Sequence, residues 1–576
     1  GEKLINSRAR MCQIVVVLDP NSRTTVFYIE EILAHAGISY DLIHARDLGH
    51  QIDLCTVIIL IGDLHFDQSD RNKIEEYVKS GGTAIWLNSD PTLSEIFGVK
   101  LTEEIEEGYL IELETSSTIT SGLQSSLHVF GGTKFHATTG TPLAKLVDIQ
   151  YQPAGDAIVE NRYGKGYTVA FAADLIGSIV LIQQGIPVTQ DGQPAPDGSA
   201  SIDDDILKTE DGFVLNWKWD RTPIVPSTQP VFLEPITDEL RELIVKAILR
   251  CFEVKSQSTP ILWYYPRGLK SIAMMSHDSD HNDQQLAWSL LDVTDQLNIK
   301  TTWCIIYPGG YIPEFYQKLQ DWDYEIALHF DALTKKTYTN WTQDDFNYQH
   351  QWLIQEVGIP TLKSNKNHYT RWENRLEFFH WCQEKGIEVD QSKGPSKHGT
   401  IGFPFGGSHP WYPIDDNGKR INVLEINMLT QDLVITCPVF YGRGLLDSVS
   451  RHYGIAHFLF HPAHIEKPGV RDAVIDVVEY AHLQGIEWWT SKQIGDWEQK
   501  RRQIRIMHQE HDRFTITSPI SVGSVTFIFP IPDTINDFSI QIDGRLIDWK
   551  PISIYGCNFA EIIIDIAANQ EIKVQL

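Results

Sequence analysis

The stretch IAMMSHDSD at residues 272–280 gives the clearest indication of the fold at the centre of this 576-residue chain. It is a short apolar run that ends abruptly in residues able to bind a metal or carry a proton. The same arrangement recurs where EIAL runs into His329 and where HFLF runs into HPAH at 461–464. Alternation with helical segments predicts a β/α barrel over residues 256–500, in which the carboxyl ends of the strands converge on one face. The helical segments are residues 284–297, 313–320, 375–385 and 470–483.

The carboxylates of Asp278 and Asp280 are the first candidates for chemistry. Alternate residues of an extended segment point to the same side, so both carboxylates can face the mouth of the barrel. Histidines at other strand ends, such as His329 and His461, would meet them there. Carboxylate oxygen and neutral imidazole nitrogen are good ligands for zinc-like ions. The pattern therefore predicts a divalent metal site, with zinc as the expected ion.

Four segments, in their order along the chain, resemble the motifs of the polysaccharide deacetylase (NodB-homology) family. They are SHDSD at 276–280, IALH at 326–329, HYTRW at 368–372 and LFH at 459–461. The resemblance implies a deacetylase-type barrel, which is a smaller relative of the eight-unit β/α barrel. It also implies roles for five residues: Asp278 as the catalytic base, Asp280 and His329 as metal ligands, Arg371 as the cation that orients the base, and His461 as the general acid.

Two departures from the family pattern leave alternatives open. Ser279 separates the two carboxylates, so the roles of base and ligand could be exchanged between Asp278 and Asp280. Four residues after His329 the chain has Leu333, which cannot bind a metal, so the third ligand of the family is missing from its usual place. We expect His368 to replace it, in a divergent branch of the family with an H-D-x-D motif. The competing ligands are Asp331, His277, His281 and His464.

Substrate contacts are expected from a loop at residues 402–413, which is rich in Gly, Pro and aromatic residues. Aromatic faces suit sugar rings, although large aromatic side chains also dominate ordinary cores. Trp411 and Tyr412 are therefore the candidate substrate-binding residues, and His464 is a candidate polar neighbour. A rigid turn would have the same composition as this loop. For His464 and for Glu425, a purely structural role is an equal alternative to a role beside the site.

Residues 1–255 predict a doubly wound parallel sheet, because apolar strands alternate with helical segments. The strand candidates are residues 14–18, 40–43, 57–61 and 83–87, the helical segments are 26–36 and 68–80, and residues 157–174 read as an added hairpin. The pattern resembles the class I glutamine-amidotransferase-like domain, which implies a flavodoxin-like sheet.

The nucleophilic cysteine of that family is missing from its usual turn. The strand at 57–61 runs into GDLH at 62–65, and Cys55, which precedes the strand, is expected to pack as a small apolar residue. We therefore expect a non-catalytic binding or scaffolding role for this domain. Residues 189–205 are poor in apolar positions and predict a surface loop, either a solvated linker or a lid.

Residues 501–576 predict a small β-sandwich, because short strand candidates are separated by turns. The candidates are residues 514–516, 525–529, 538–542 and 561–566. Trp549 is the one obvious aromatic platform, so glycan binding and a packing role remain alternatives.

The composition restricts the partners of the chain. A formal net charge of -28 disfavours the phosphate contacts that dominate nucleic-acid affinity, so no nucleic-acid partner is expected. The longest apolar runs are far shorter than the roughly 20 residues needed to span a bilayer, so no membrane span is expected. The seven cysteines have no C-x-x-C or zinc-ribbon spacing and predict no disulfide framework. The oligomeric state has no signal.

The leading functional hypothesis is a metal-dependent hydrolase that removes an acyl group, expected to be acetyl, from a carbohydrate. As the family resemblance implies, Asp278 would take a proton from a metal-bound water and His461 would protonate the leaving group. One alternative is a non-catalytic glycan-binding or assembly protein on a degenerate barrel. The other is hydrolysis of a different C–N bond in a small amide. By analogy with the family an extracytoplasmic location is expected, with a cytoplasmic one as the alternative.

Overall fold

The structure is a computed structural model that describes residues 13–49, 52–112, 117–123, 126–333 and 340–576. Within these residues the chain forms two sheets that contain parallel strands, followed by two antiparallel sheets near the C-terminus. The mixed α/β class predicted from the sequence is confirmed. No described helix is both long enough and apolar enough to cross a membrane.

The first sheet has a parallel half and an antiparallel half. Strands β2-β1-β3-β4-β11 are parallel neighbours in that order, and β10-β9-β6-β7 continue the sheet in antiparallel fashion, with β8 paired to β10 and β5 to β8. The strands are β1 (Ile14–Leu18), β2 (Asp41–His44), β3 (Val57–Ile61), β4 (Thr83–Leu87), β5 (Val99–Glu104), β6 (Glu107–Glu112), β7 (Leu127–Phe130), β8 (Thr133–Ala137), β9 (Thr141–Val147), β10 (Pro153–Tyr163) and β11 (Gly166–Phe171). The predicted hairpin at 157–174 is confirmed as the pair β10 and β11.

Four helices pack on this sheet, and a two-strand ladder lies between the last two of them. They are α1 (Ile29–Ala36), α2 (Gln68–Lys79), α3 (Leu175–Gln184) and α4 (Ile236–Val254), with β12 (Thr222–Pro223) and β13 (Pro230–Val231). Every residue of β1, β3 and β4 is buried, as expected for parallel strands that helices cover on both faces. Helix α1 ends at Gly37, whose φ of 74° and close approach to the Leu262 carbonyl leave no room for a side chain.

The second sheet is parallel and curved, with the order β20-β19-β18-β17-β16-β15-β21 and with β22 also paired to β15. Its strands are β15 (Ile272–Asp278), β16 (Thr302–Ile306), β17 (Glu325–His329), β18 (Ser364–Asn365), β19 (Val389–Asp390), β20 (Leu424–Glu425), β21 (Ile455–Leu459) and β22 (Glu487–Trp488); the preceding short strand, β14 (Ile261–Leu262), pairs with the C-terminal region instead. The segment after β20 returns to the opposite edge of the sheet, where Leu429 N donates to His457 O (3.0 Å) and Leu459 N donates to Thr430 O (3.2 Å).

Helices alternate with these strands. They are α5 (Gln284–Gln296), α6 (Pro313–Asp321), α7 (Gln343–Val357), α8 (Glu377–Glu384), α9 (Tyr441–Arg451), α10 (Val470–Leu483) and α11 (Ser491–Arg501). Side chains cap the starts of two of them. The Asp283 carboxylate accepts from Leu286 N at the start of α5, and Thr490 with Gln493 forms a capping box at the start of α11. The alternation makes all the sheet strands parallel and sends their carboxyl ends to one edge.

The C-terminal residues form two antiparallel sheets around a common apolar core that includes Phe514, Phe527 and Phe529. The strands are β23 (Arg505–Glu510), β24 (Arg513–Thr517), β25 (Val522–Pro530), β26 (Ile540–Ile542), β27 (Arg545–Ile547), β28 (Lys550–Ile554), β29 (Cys557–Ile566) and β30 (Ile572–Gln575). Their orders are β14-β25-β29-β28 and β23-β24-β30-β26-β27. Because β14 belongs to the first of these, the C-terminal region includes a strand from before the curved sheet.

The loop predicted at 189–205 is not a solvated linker, because Ala200 and Ile202 are buried. Its flanks pair with the segment that follows β18: Asn374 N donates to Val188 O (2.8 Å), and Trp372 N donates to Leu207 O (3.1 Å). The first region of the chain, by which we mean the described residues up to 255, thus contacts the edge of the curved sheet where the candidate site lies.

Candidate metal centre and active site

The two carboxylates lie together at the end of β15. Asp278 is the last residue of the strand and is almost completely buried, whereas Asp280 follows in a turn. Ser279 fixes this turn, since its backbone N donates to Cys304 O (2.9 Å) and its Oγ accepts from Ile306 N (2.9 Å). Asp280 has a φ of 37°, in the left-handed region that non-glycine residues seldom adopt. Such conformations are concentrated at functional sites.

His329 and His368 bring their imidazoles to the same carboxylate. His329 ends β17, and its Nε2 lies 3.2 Å from Asp280 Oδ1. His368 begins the short 3-10 helix after β18, and its Nδ1 lies 3.5 Å from the same oxygen. One ligand atom from each of these three residues lies within 4.8 Å of the others. The structure thus brings together three residues that the sequence predicts as metal ligands.

The hydrogen bonds of His329 indicate that this group suits a metal ion. Its Nδ1 donates to Lys366 O (2.7 Å), so in the neutral ring the Nε2 atom carries a lone pair. Nε2 lies 3.2 Å from His368 Nδ1 and 3.2 Å from Asp280 Oδ1, a buried atom with no hydrogen-bond partner among the described residues. Two acceptors facing each other need a cation or a proton between them. Two imidazoles and a carboxylate are a donor set that zinc accepts, so Asp280, His329 and His368 would hold the ion.

His461 faces the carboxylates from the end of β21. Its Nε2 lies 3.4 Å from Asp280 Oδ2 and 3.8 Å from Asp278 Oδ2. On its other side, Nδ1 is hydrogen-bonded to the Asp432 carboxylate, which also accepts from the His461 backbone N (2.7 Å). Burial opposes a charge on this ring, but Asp432, Asp280 and Asp278 outweigh it and raise the pKa of His461 to about 10. A histidine held in its protonated form can act as a general acid.

Lys366 is the cation nearest to Asp278. Its Nζ lies 3.3 Å from Asp278 Oδ1 and donates to Ser276 Oγ, which is itself 2.7 Å from His457 Nε2. The lysine side chain is only 1% exposed, so this attraction acts with little screening by water. Although burial alone would raise the pKa of Asp278, His329 and Lys366 hold it below its usual value. Asp278 is therefore ionised and able to accept a proton.

Arg371 lies elsewhere than the family resemblance implies. Its guanidinium donates to Ala332 O (2.7 Å), to Leu207 O (3.2 Å) and to the Glu373 carboxylate (2.9 Å). None of its contacts within the described residues involves Asp278. Arg371 links the loop from the first region to the segment that carries His368, and Lys366 is the cation that lies beside Asp278.

Two of the three predicted substrate-binding residues are not at an open surface. Trp411 is fully buried, and its Nε1 donates to Asn427 Oδ1 (3.2 Å). Tyr412 is 5% exposed and packs against the first region, where its carbonyl accepts from Tyr28 OH (2.6 Å). The prediction of stacking platforms at these residues is wrong, because apolar aromatic side chains were drawn into the core. His464 is partly exposed, with its ring centroid 5.5 Å from that of His461.

Three competing ligands fall outside the site. His277 uses Nδ1 on Phe460 O (2.8 Å) and Nε2 on Thr301 Oγ1 (2.9 Å), and His281 is exposed. Neither they nor Asp331 belong to any group of possible metal ligands among the described residues. Glu425 is buried, and its carboxylate accepts a hydrogen bond from Lys393 N (2.9 Å).

Two residues of the site escaped the sequence analysis. Asp432 lies three residues beyond the stretch VLEINML at 423–429, where Glu425 and Asn427 interrupt the apolar residues, so no continuous apolar run marked its position. Lys366 had no such signal either: it follows β18, a strand of two residues, Ser364 and Asn365, that shows no apolar run.

Comparison with known proteins does not identify the chain. No known protein family and no curated protein matches it. Among solved structures, a protein from Mycobacterium smegmatis named as a polysaccharide deacetylase aligns with 13% identity and a TM-score of 0.32, over 41% of this chain and 93% of that one. A β-galactosidase from Rahnella sp. R3 aligns with 18% identity and a TM-score of 0.24, over 28% of this chain and 29% of that one. An α-L-fucosidase from Paenibacillus thiaminolyticus aligns with 12% identity and a TM-score of 0.29, over 44% of this chain and 34% of that one.

All three TM-scores are low, so these likenesses assign neither a family nor an activity to the chain. The chain spans about 29% of the β-galactosidase it is similar to. The case for function therefore depends on the site itself.

Proposed function

We propose that this chain is a metal-dependent hydrolase that removes an acyl group, most simply acetyl, from a carbohydrate. One observation carries the proposal: the ligand atoms of Asp280, His329 and His368 lie within 4.8 Å of one another, with a base and an acid beside them. Zinc is the ion we propose, because carboxylate and imidazole ligands suit it. When bound, such an ion polarises a carbonyl and makes a water molecule more acidic.

The protein groups supply the proton transfers. Asp278 accepts the proton of the attacking water, and Lys366 at 3.3 Å keeps its carboxylate ionised and oriented. Protonated His461, held by Asp432, donates a proton from Nε2 to the leaving amine or alcohol as the bond to the acyl carbon breaks. The base and the acid thus differ in charge because their neighbours differ, which is the usual way in which one site keeps both at neutral pH.

The contacts favour one of the two orders of roles that the sequence leaves open. Asp280 approaches His329 and His368 within 3.5 Å, as a ligand would. Asp278 is instead paired with Lys366, a contact that suits a base. We therefore assign Asp280 to the metal and Asp278 to proton transfer.

We also propose three domains: residues 1–255, 256–500 and 501–576. The parallel order β2-β1-β3-β4-β11 supports a flavodoxin-like first domain. The hydrogen bonds that link the segment after β20 to β21 support a barrel in the second, and the shared core of the last two sheets supports a β-sandwich. The first domain would be non-catalytic and would shape the mouth through its loop. The extracytoplasmic location and the lack of a nucleic-acid partner remain predictions.

Metal content and acetate release test this proposal together. Protein purified without chelator is analysed by plasma mass spectrometry and incubated with N-acetylated and O-acetylated oligosaccharides. We expect the parent and His281→Ala to contain zinc and release acetate, because His281 is exposed and outside the ligand group. Asp280→Ala and His329→Ala should lose one equivalent of metal and the activity. A parent that binds no ion after reconstitution with several divalent metals would favour a non-catalytic glycan-binding or assembly protein.

Hydrolysis of a small amide is a second candidate, and one observation favours it. The expected aromatic platforms are buried, and the loop of the first region lies beside the site, where Asp204 accepts from Tyr369 OH (3.0 Å). A narrow mouth would suit a small substrate. Ammonia or amine release from small amides, with no acetate release from oligosaccharides, would select this candidate.

A further inference from the structure

A second group of acidic residues and histidine lies away from the mouth of the curved sheet. Glu234 precedes helix α4, Glu239 lies in its first turn, and His452 follows helix α9. Ligand atoms of these three residues lie within 4.8 Å of one another. The group joins the helix of the first region to a helix of the curved sheet, and it does not depend on the proposed function.

Glu239 is buried, and among its described contacts His452 is the group that can compensate its charge. It is 2% exposed, and neither of its carboxylate oxygens has a hydrogen-bond partner in the structure. His452 is its ion-pair partner, with Nε2 at 3.2 Å from Glu239 Oε1. A buried carboxylate with no hydrogen bond is costly, so it requires a positive partner.

The hydrogen bonds of His452 bear on which positive partner Glu239 can have. Its Nδ1 lies 3.0 Å from Glu242 Oε1, and a carboxylate there can only accept, so Nδ1 carries the proton. Burial opposes a charge on His452, but Glu242 and Glu239 raise its pKa well above the usual value. Without an ion the ring therefore also carries a proton on Nε2, which pairs with Glu239, and a bound ion would take the place of that proton. A histidine whose second nitrogen donates to a carboxylate is a common arrangement in metal sites.

Nearby lysine and arginine side chains do not balance these carboxylates. Lys246 Nζ is 3.9 Å from Glu242 Oε2 and donates to Ser121 O, so it lies on the far side of Glu242. Arg241, in the same helix, turns away to Tyr28 OH and Gln183 Oε1. Asp238 is already satisfied, because Ser408 N and Ser408 Oγ both donate to it at 2.7 Å. Glu234 and Glu239 thus face His452 with no lysine or arginine among their described contacts.

We infer that Glu234, Glu239 and His452 form a second divalent-cation site, which joins helix α4 to the end of helix α9. One imidazole and two carboxylates are ligands for a zinc-like or manganese-like ion. Bound there, the ion would fix the first region against the curved sheet.

Metal counting in a background without the first site tests this inference. Asp280→Ala protein is stripped with chelator, reconstituted with Zn²⁺ or Co²⁺, and analysed by plasma mass spectrometry after removal of free metal. We expect Asp280→Ala to retain one more equivalent than Asp280→Ala combined with Glu239→Gln. The control Asp238→Asn, a neighbouring buried carboxylate with satisfied hydrogen bonds, should keep that equivalent.

The melting temperature distinguishes loss of the metal site from loss of the fold. Added metal should raise the melting temperature of Asp280→Ala and leave that of the Glu239→Gln combination unchanged. If the latter does not fold, Glu234→Gln replaces it, because Glu234 is partly exposed. Equal metal content with and without Glu239→Gln would overturn the inference and indicate that Glu234 and Glu239 share a proton instead. Because the readout is a difference of one equivalent, it does not require that the first site bind metal.

Discussion

The two sheets that contain parallel strands both have aspartates after the carboxyl ends of those strands, but the hydrogen bonding of these aspartates differs. In the first sheet Asp90 follows β4, and its carboxylate accepts from Phe66 N (2.8 Å) and Thr92 N (2.9 Å). Asp174 follows β11 and accepts from Gly177 N (2.9 Å) at the start of α3. In the curved sheet Asp280 follows β15, and its buried Oδ1 has no such donor.

We infer that carboxylates at strand ends form a site only where backbone N–H groups do not satisfy their hydrogen-bonding capacity. An aspartate that caps a turn is neutralised by fixed N–H groups and has no further chemistry to offer. An aspartate that faces imidazoles and another carboxylate needs a cation or a proton. The predictions below test this contrast, in order of decreasing effect on activity.

Asp278→Asn should have the largest effect. The change removes the proton acceptor but keeps the shape of the side chain, so kcat for acetate release should fall by about 10²-fold to 10⁴-fold. Metal content should stay at the parent value, because Asp280, His329 and His368 remain. Steady-state kinetics and plasma mass spectrometry on the same sample check both parts. Loss of metal in this variant would mean that Asp278 is the ligand and that the two roles are exchanged.

Asp432→Asn should have the next largest effect. The change removes the charge that holds His461 in place, and a supporting residue of this kind contributes about 10-fold to 100-fold. Asp432 also raises the pKa of His461, so without it the acid loses its proton at lower pH. The alkaline limb of the kcat/KM profile should therefore move to lower pH. His281→Ala, which removes an exposed histidine outside every group of possible metal ligands among the described residues, is the control and should leave that limb in place.

Lys366→Met should act on the other limb. Lys366 lowers the pKa of Asp278, so its loss should raise that pKa and make the base available only at higher pH. An opposite charge at such a distance favours the ionised carboxylate, so the acid limb of kcat/KM should move to higher pH when the charge is removed. Arg371→Met is the matched control, because Arg371 contacts Glu373 instead. If Arg371→Met moved the acid limb and Lys366→Met did not, the family role of the arginine would be restored.

The strand-end rule explains how much of the site the sequence could predict. Asp278, His329 and His461 each end or follow a long apolar strand, so periodicity marked their positions. Lys366 and His368 follow a strand of only two residues, which gives no apolar signal. His368 was found through the missing ligand at Leu333, and Lys366 was missed.

The aromatic residues show the limit of composition. Trp411 and Tyr412 were expected at the mouth, but burial of a large apolar side chain is favourable wherever the backbone allows it. Sequence alone does not distinguish a platform for a sugar from an ordinary core residue. The pairing of β14 with β25 was missed for a related reason, because two residues are too few to specify a partner.

Asp90→Ala should have the smallest effect on activity and tests the other side of the comparison. Asp90 is buried and satisfies Phe66 N and Thr92 N, so its removal leaves a buried donor without a partner and should lower the free energy of unfolding by about 2 kcal/mol. Metal content and kcat should equal those of the parent at a temperature where both are folded. Asp90→Asn keeps an acceptor oxygen and should recover part of the stability in urea titrations. Lost metal or changed kcat in folded Asp90→Ala would mean that strand-end carboxylates of the two sheets are coupled, and the contrast between capped and uncapped aspartates would no longer explain where the site lies.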